Sequence, residues 1–272
     1  MMGSSRVRRS HMTTTFSRSI ASSAGRRLFA ATLLSLAAVG SAQAWTLSFG
    51  GSQRVEGNGD VSSESRDVGA FEAVSLSGDF KVLVRQGSSE KVEVRTDRNL
   101  LSYLETRVVD GSKGRTLEIA AKRGYSLDAR GTPTITLDMR QLRGVSIAGS
   151  GDVRVEPMKT GNFDGSIAGS GDLRIQGLEA DQVTLRVAGS GDMVLNGKAN
   201  FLSVTVAGSG DVKTRELTVD EAKVSISGSG DVTVQAVRKL NVRIAGSGDV
   251  GYVGSPEISM SNAGSGSVRK LK

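Results

Sequence analysis

The chain has 272 residues, with 35 basic and 28 acidic side chains, one histidine and no cysteine. Its formal charge of +7 is unevenly placed: residues 1–44 hold six arginines and no acid, so the other 228 residues carry 29 bases against 28 acids, a net +1. That near-neutral remainder gives no electrostatic case for nucleic acid. His11 also lies before residue 45, which removes Ser-His-Asp and Cys-His catalysis and any His or Cys zinc site from residues 45–272.

Residues 1–44 read as a signal peptide with an N-terminal extension. Arg18, Arg26 and Arg27 form a basic n-region, and Leu28–Gly40 ("LFAATLLSLAAVG") is an apolar h-region too short to span a bilayer. Ala42-Gln43-Ala44 is an A-x-A cleavage site, so the mature chain is expected to start at Trp45, with no cysteine after it to carry a lipid. "RRLF" (Arg26–Phe29) resembles a twin-arginine export signal, but Gly25 stands where Ser or Thr is usual, and ordinary Sec export is the expected route. Ahead of Met12, "MGSS" and "SHM" read equally as a vector-derived scar or as an overextended start codon. An exported chain without disulfides depends on packing for its stability.

Residues 45–144 read as irregular β-solenoid coils. Trp45 and Phe49 stand at the mature N-terminus, either capping an open end or touching a partner. "VSLSGDFKVLV" (Val74–Val84) is a worn copy of a unit that recurs later. "KVEVRT" (Lys91–Thr96), "TLEIAA" (Thr116–Ala121) and "TITLDM" (Thr134–Met139) alternate with the period of half-buried strands, while "NLLSYLET" (Asn99–Thr106) suits a short helix.

Residues 145–272 are dominated by a repeat. Gly-Ser-Gly-Asp occurs six times, its first glycine at Gly149, Gly169, Gly189, Gly208, Gly228 and Gly246, and a decayed "AGSGS" has Gly264. The spacings run 20, 20, 19, 20, 18 and 18, which suits one coil of a β-solenoid rather than a propeller blade or a helical pair. Apolar residues alternate before each motif, as in Val145/Ile147, Leu185/Val187, Val204/Val206, Val224/Ile226 and Val242/Ile244. They alternate again after it, as in Val153/Val155, Leu173/Ile175, Met193/Leu195 and Val232/Val234. Each coil is therefore two strands about a Gly corner plus a return with an apolar point such as Leu178, Leu217 or Val237. Tyr252 takes an aliphatic's core place near the end, and the charged "SVRKLK" would blunt the last edge. The expected fold is all-β, one continuous solenoid of about 18–20 residues per coil in this half.

The "AGSGD" coils, preceded by "RDVGAFEAVSLSGDFKVLVRQG" (Arg66–Gly87) and "NLLSYLETRVVDGSKGRTLEI" (Asn99–Ile119), resemble the head GIN domain family of putative auto-transporter adhesins over about Val61 to Lys272. The resemblance implies a right-handed parallel β-helix in a bacterial envelope protein, with an adhesive role. No amphipathic strands come after the repeats to build a membrane barrel, so self-translocation is not expected.

The motif's chemistry has several readings. A phosphate cradle needs a Gly-rich loop opening a helix with a lysine, whereas every copy here opens a strand and carries an acid. In-register coils would set Asp152, Asp172, Asp192, Asp211, Asp231 and Asp249 in one ladder, about 4.8 Å apart. In water each adjacent pair repels by about 0.9 kcal/mol, or about 4 kcal/mol over the ladder. Turn amides of the Gly-Ser-Gly corner or bound calcium could offset this. Repeat-in-toxin calcium rolls use similar ingredients but repeat them every nine residues. Arg154, Arg174 and Lys213, each two residues after a ladder Asp, could pair with it for acid–base catalysis or merely neutralise it. The exposed Ser150, Ser170, Ser190, Ser209, Ser229 and Ser247 sit at turn centres, expected to satisfy backbone groups or face solvent. A uniform repeat is unlike a catalytic centre. The leading expectation is a non-enzymatic binding module, periplasmic or at the cell surface, without cofactor, nucleic acid or membrane span. Its partner would be a glycan, an envelope component or a protein. A calcium-stabilised roll and a polysaccharide-active enzyme are the alternatives.

Overall fold

The computed structural model describes residues 52–111 and 113–272. The leader, its cleavage site, Trp45 and Phe49 lie outside them. The described chain is a β-solenoid of about six turns, and its strands are best followed as columns.

The first column holds the strands that precede each corner. In spatial order it runs β6 (Leu104–Gly111), β7 (Gly114–Ala121), β3 (Ala73–Ser77), β10 (Gly144–Gly149) and β13 (Asn162–Gly169). It continues through the second halves of β14 (Asp172–Gly189), β15 (Asp192–Gly208), β16 (Val212–Gly228) and β17 (Val232–Gly246) to β19 (Glu257–Gly264). The second column holds the strands that come after each corner. It runs β2 (Val61–Arg66), β5 (Lys91–Asp97), β9 (Thr134–Met139), β4 (Lys81–Gln86) and β11 (Asp152–Val155), then the first halves of β14 to β17, then β18 (Val250–Val253) and β20 (Val268–Lys270). A short third column on the return starts with β12 (Met158–Lys159). Apart from these, β1 (Gln53–Glu56) pairs in parallel with β8 (Tyr125–Asp128).

The repeat pattern builds the interior as expected. Every alternating apolar pair named above is buried in one continuous cluster, since the period of two sends those side chains to one face. Tyr252 is half-buried against the same cluster, opposite Val234 of the preceding coil. Leu178 and Leu217 are buried, but Val237 is 51% exposed. The reason is the shorter coil: after Thr214↔Val234 the pairing resumes at Thr218↔Gln235, so no residue of the next coil is paired with Leu217, and Ala236 fills the interior opposite Val219.

The N-terminal half departs from one coil after another. The coil of β3 and β4 lies between the coil of β7 and β9 and the coil of β10 and β11, so spatial order is not chain order. The outermost strands there are antiparallel: β6 and β7 form a hairpin with a short connection, whereas β2 on β5 and β5 on β9 pair across long connections that contain other strands. "NLLSYLET" splits accordingly: a 3-10 helix covers Arg98–Tyr103, and Leu104 already begins β6. At the other end, β20 places Arg269 and Lys270 on the last strand of its column, whereas β19 carries only Glu257 and leaves Ile258 and Met260 40% and 57% exposed.

Candidate functional site

The corner is built by backbone stacked on backbone. At Gly169 φ is +127°, a left-handed value, and an added Cβ would also lie 2.5 Å from the Gly149 carbonyl oxygen. At Gly171 no such dihedral is needed, yet a Cβ would lie 2.5 Å from the Gly151 carbonyl. Both glycines of the motif are thus demanded by the neighbouring coil, the first by dihedral as well. The corner amides close this stack: Ser190 N–H and Gly191 N–H both donate to the Gly169 carbonyl, at 2.9 and 3.1 Å. The central serines are exposed.

The six aspartates fall in line, bounded by Lys81 beneath Asp152 and by Ser267 beyond Asp249. The worn copy contributes no rung, because its Gly78 stacks under Gly149 and its Asp79 therefore stands two places short of the ladder. The carboxylates do not bind their own turns, whose amides already serve the preceding coil. From Asp192 onward each accepts the amide of the following coil instead. Asp211 N–H donates to Asp192 at 3.0 Å, Asp231 N–H to Asp211 at 3.1 Å and Asp249 N–H to Asp231 at 2.8 Å. Ser267 ends the relay with its amide and hydroxyl on Asp249, at 2.8 and 2.9 Å. Those Ser267 bonds, with Arg269 adding less, hold the Asp249 carboxyl below the usual range against the opposing effect of burial.

Basic side chains complete the compensation. Arg174 bridges Asp152 and Asp172 at 3.0 and 2.9 Å, and Lys213 lies between Asp211 and Asp192 at 3.4 and 4.0 Å. Arg154 reaches Asp152 at 3.6 Å and Arg269 reaches Asp249 at 3.7 Å. The i+2 position is Val194 after Asp192 and Thr233 after Asp231. Calcium takes six to eight oxygens, whereas one oxygen of each of the last four rungs is occupied by an amide. Among the described residues no three His, Cys, Asp or Glu side chains are grouped to hold a metal ion.

Two clusters escaped the sequence reading. Lys113, at the tip of the β6–β7 hairpin, crosses Gly144 to reach Asp164 Oδ1 at 2.7 Å and Ser146 Oγ at 3.1 Å, while Arg186 holds Asp164 Oδ2 at 2.6 Å. Burial pushes the Asp164 carboxyl up, but the two cations outweigh it and its pKa is lowered. Asp97, 2% exposed, accepts the amides of Gly59 at 2.7 Å and Arg130 at 3.0 Å, pinning two N-terminal loops together. Only the small Gly144 and the "GNG" of residues 57–59 hinted at these approaches.

Among solved structures, a "putative adhesin" of Bacteroides fragilis is 24% identical, with TM-score 0.75 over 80% of this chain and 100% of its own. A "putative lipid binding protein" of Parabacteroides distasonis is 28% identical, with TM-score 0.68 over 81% and 100%. A "putative adhesin" of Parabacteroides merdae is 22% identical, with TM-score 0.65 over 81% and 100%. No curated protein matches the chain significantly. Residues 70–256 match the family described as "Putative auto-transporter adhesin, head GIN domain". Since the match takes in the corner stack, the ladder and the out-of-order N-terminal coils, the chain belongs to the head GIN domain family.

Proposed function

We propose that the protein is an exported, non-enzymatic binding module that presents a long, rigid polar surface at the cell envelope. The observation that carries this is the engagement of the ladder. Its acids are tied to amides of the next coil or to Arg and Lys, which makes them parts of a scaffold and leaves a regular outer surface for recognition. Paired acids poised for catalysis would instead need split protonation states. Family membership and the relatives described as adhesins or as lipid-binding support a binding role.

The test uses purified residues 45–272. Binding to isolated envelope glycans or to vesicles of envelope lipid, without chemical change in either, is the expected outcome. Turnover of an acidic polysaccharide that disappears in Asp172→Asn would replace this reading with the enzymatic one.

A further inference from the structure

The groove on the return face spans four successive coils and encloses about 680 Å³. One wall is the in-register row Lys159, Glu179, Lys198 and Thr218. The other is Asp181, Asn200 and Asp220, with Asn200 donating to Asp181 at 3.3 Å. Between them lie the half-buried Ala180 and Ala199, which pack on the core and leave the middle of the groove open. The corner and its ladder use none of these side chains.

We infer that this groove binds a linear, uncharged glycan lying along the solenoid axis, one sugar per coil. This deepens the binding-module reading and rests on it. Three features select the ligand. The two lysines stand against three acids, so neither a polyanion nor a polycation is favoured by charge. Carboxylates and a carboxamide in rows match the hydroxyls of sugars, and the alanine methyls offer small apolar patches between them. The rows repeat at about 4.8 Å, close to the advance of one pyranose unit. An extended peptide repeats its side chains on one face at about 6.7 Å and would drift out of register within two coils. It would also want a free strand edge, and along the row Lys159, Glu179, Lys198 and Thr218 both β14 and β15 are paired on each side.

Calorimetric titration of the purified chain with neutral β-linked glucose or N-acetylglucosamine oligomers of two, four and six units tests this. Affinity should rise from two to four units and then level off, because four coils line the groove. Asn200→Ala and Asp181→Ala should each weaken the tetramer about fivefold, the loss of roughly one hydrogen bond. Their melting temperatures should stay unchanged, and Thr205→Ala on the adjoining face should have no effect. Equal affinity for two and six units overturns the inference, as does indifference to Asn200→Ala. Tighter binding of a polyuronate or a peptide, or no binding of any of these oligomers, also overturns it. A glycan bound elsewhere removes the groove and leaves the binding-module reading intact; failure on all envelope glycans and lipids removes both.

Discussion

At the residue scale, a loop glycine and a motif glycine separate two demands that usually travel together. Gly124 has φ +85° with open space within 4 Å of where a Cβ would stand, while Gly171 has an ordinary dihedral and a carbonyl in the way. Gly124→Ala is expected to cost about 1 kcal/mol from its dihedral alone. Gly171→Ala should cost about 3 kcal/mol, because the obstacle is backbone that cannot rotate aside; urea unfolding of both variants measures the difference. Asp164 gives a pH signature. Its carboxyl is lowered in the folded chain, so its contribution is complete above the ordinary carboxylate value of about 3.9 and fades as pH falls through the lower folded value. Asp164→Asn should lose about 1 kcal/mol at pH 7, after allowing for partial exposure, a drop of about 2–4 °C in melting temperature. The gap to the parent should close as the pH falls through that lower folded value.

At the scale of elements, the ladder is compensated unevenly along its length. Asp172 shares Arg174 with Asp152, but Asp231 has only an amide on one oxygen and, among the described residues, no basic side chain within ion-pair reach. Asp231→Asn keeps an acceptor for the Asp249 amide and removes a like charge, so it should be neutral or slightly stabilising, with its benefit vanishing at high salt. Asp172→Asn should destabilise. Melting curves at low and high ionic strength distinguish the two. The strands, their inward faces and the ladder itself were legible in the sequence, because a period of two within a period of about twenty fixes both face and register. The partner of each carboxylate was not. Local turn amides looked free in a single copy, and only stacking shows that Ser190 and Gly191 already donate to Gly169. Val237 misled for a similar reason: its environment depends on how many residues the neighbouring return contains.

At the scale of the whole molecule, stability should vary with position along the stack, since each coil touches only its neighbours. The strands β13 to β16 are covered on both sides, whereas β19 has an open outer edge with Met260 exposed. Amide exchange should therefore be slowest in β14 and β15 and fastest in β19 and β20, and uniform protection would argue against a one-dimensional stack. Calcium should matter little at this scale. Melting temperature in calcium and in chelator is expected to agree within about 2 °C, and a larger rise with calcium would revive the metal-loaded roll. The sequence could not show the N-terminal rearrangement, because "VSLSGDFKVLV" reads as the first repeat and nothing in it reveals that a later segment, Gly114–Met139, inserts beneath it.

That inserted order has a kinetic meaning. The strands β3 and β4 emerge early, yet one of their neighbours arrives only with residues 114–139 and the other only with residues 144–155. A stable seed is therefore expected only once roughly the first hundred described residues are present, with closure of those long loops as the predicted slow step. After that, every coil finds a finished template and can add singly. Shortened chains ending after Gly208 should still fold, while removal of β7 to β9 should leave all later coils without a start.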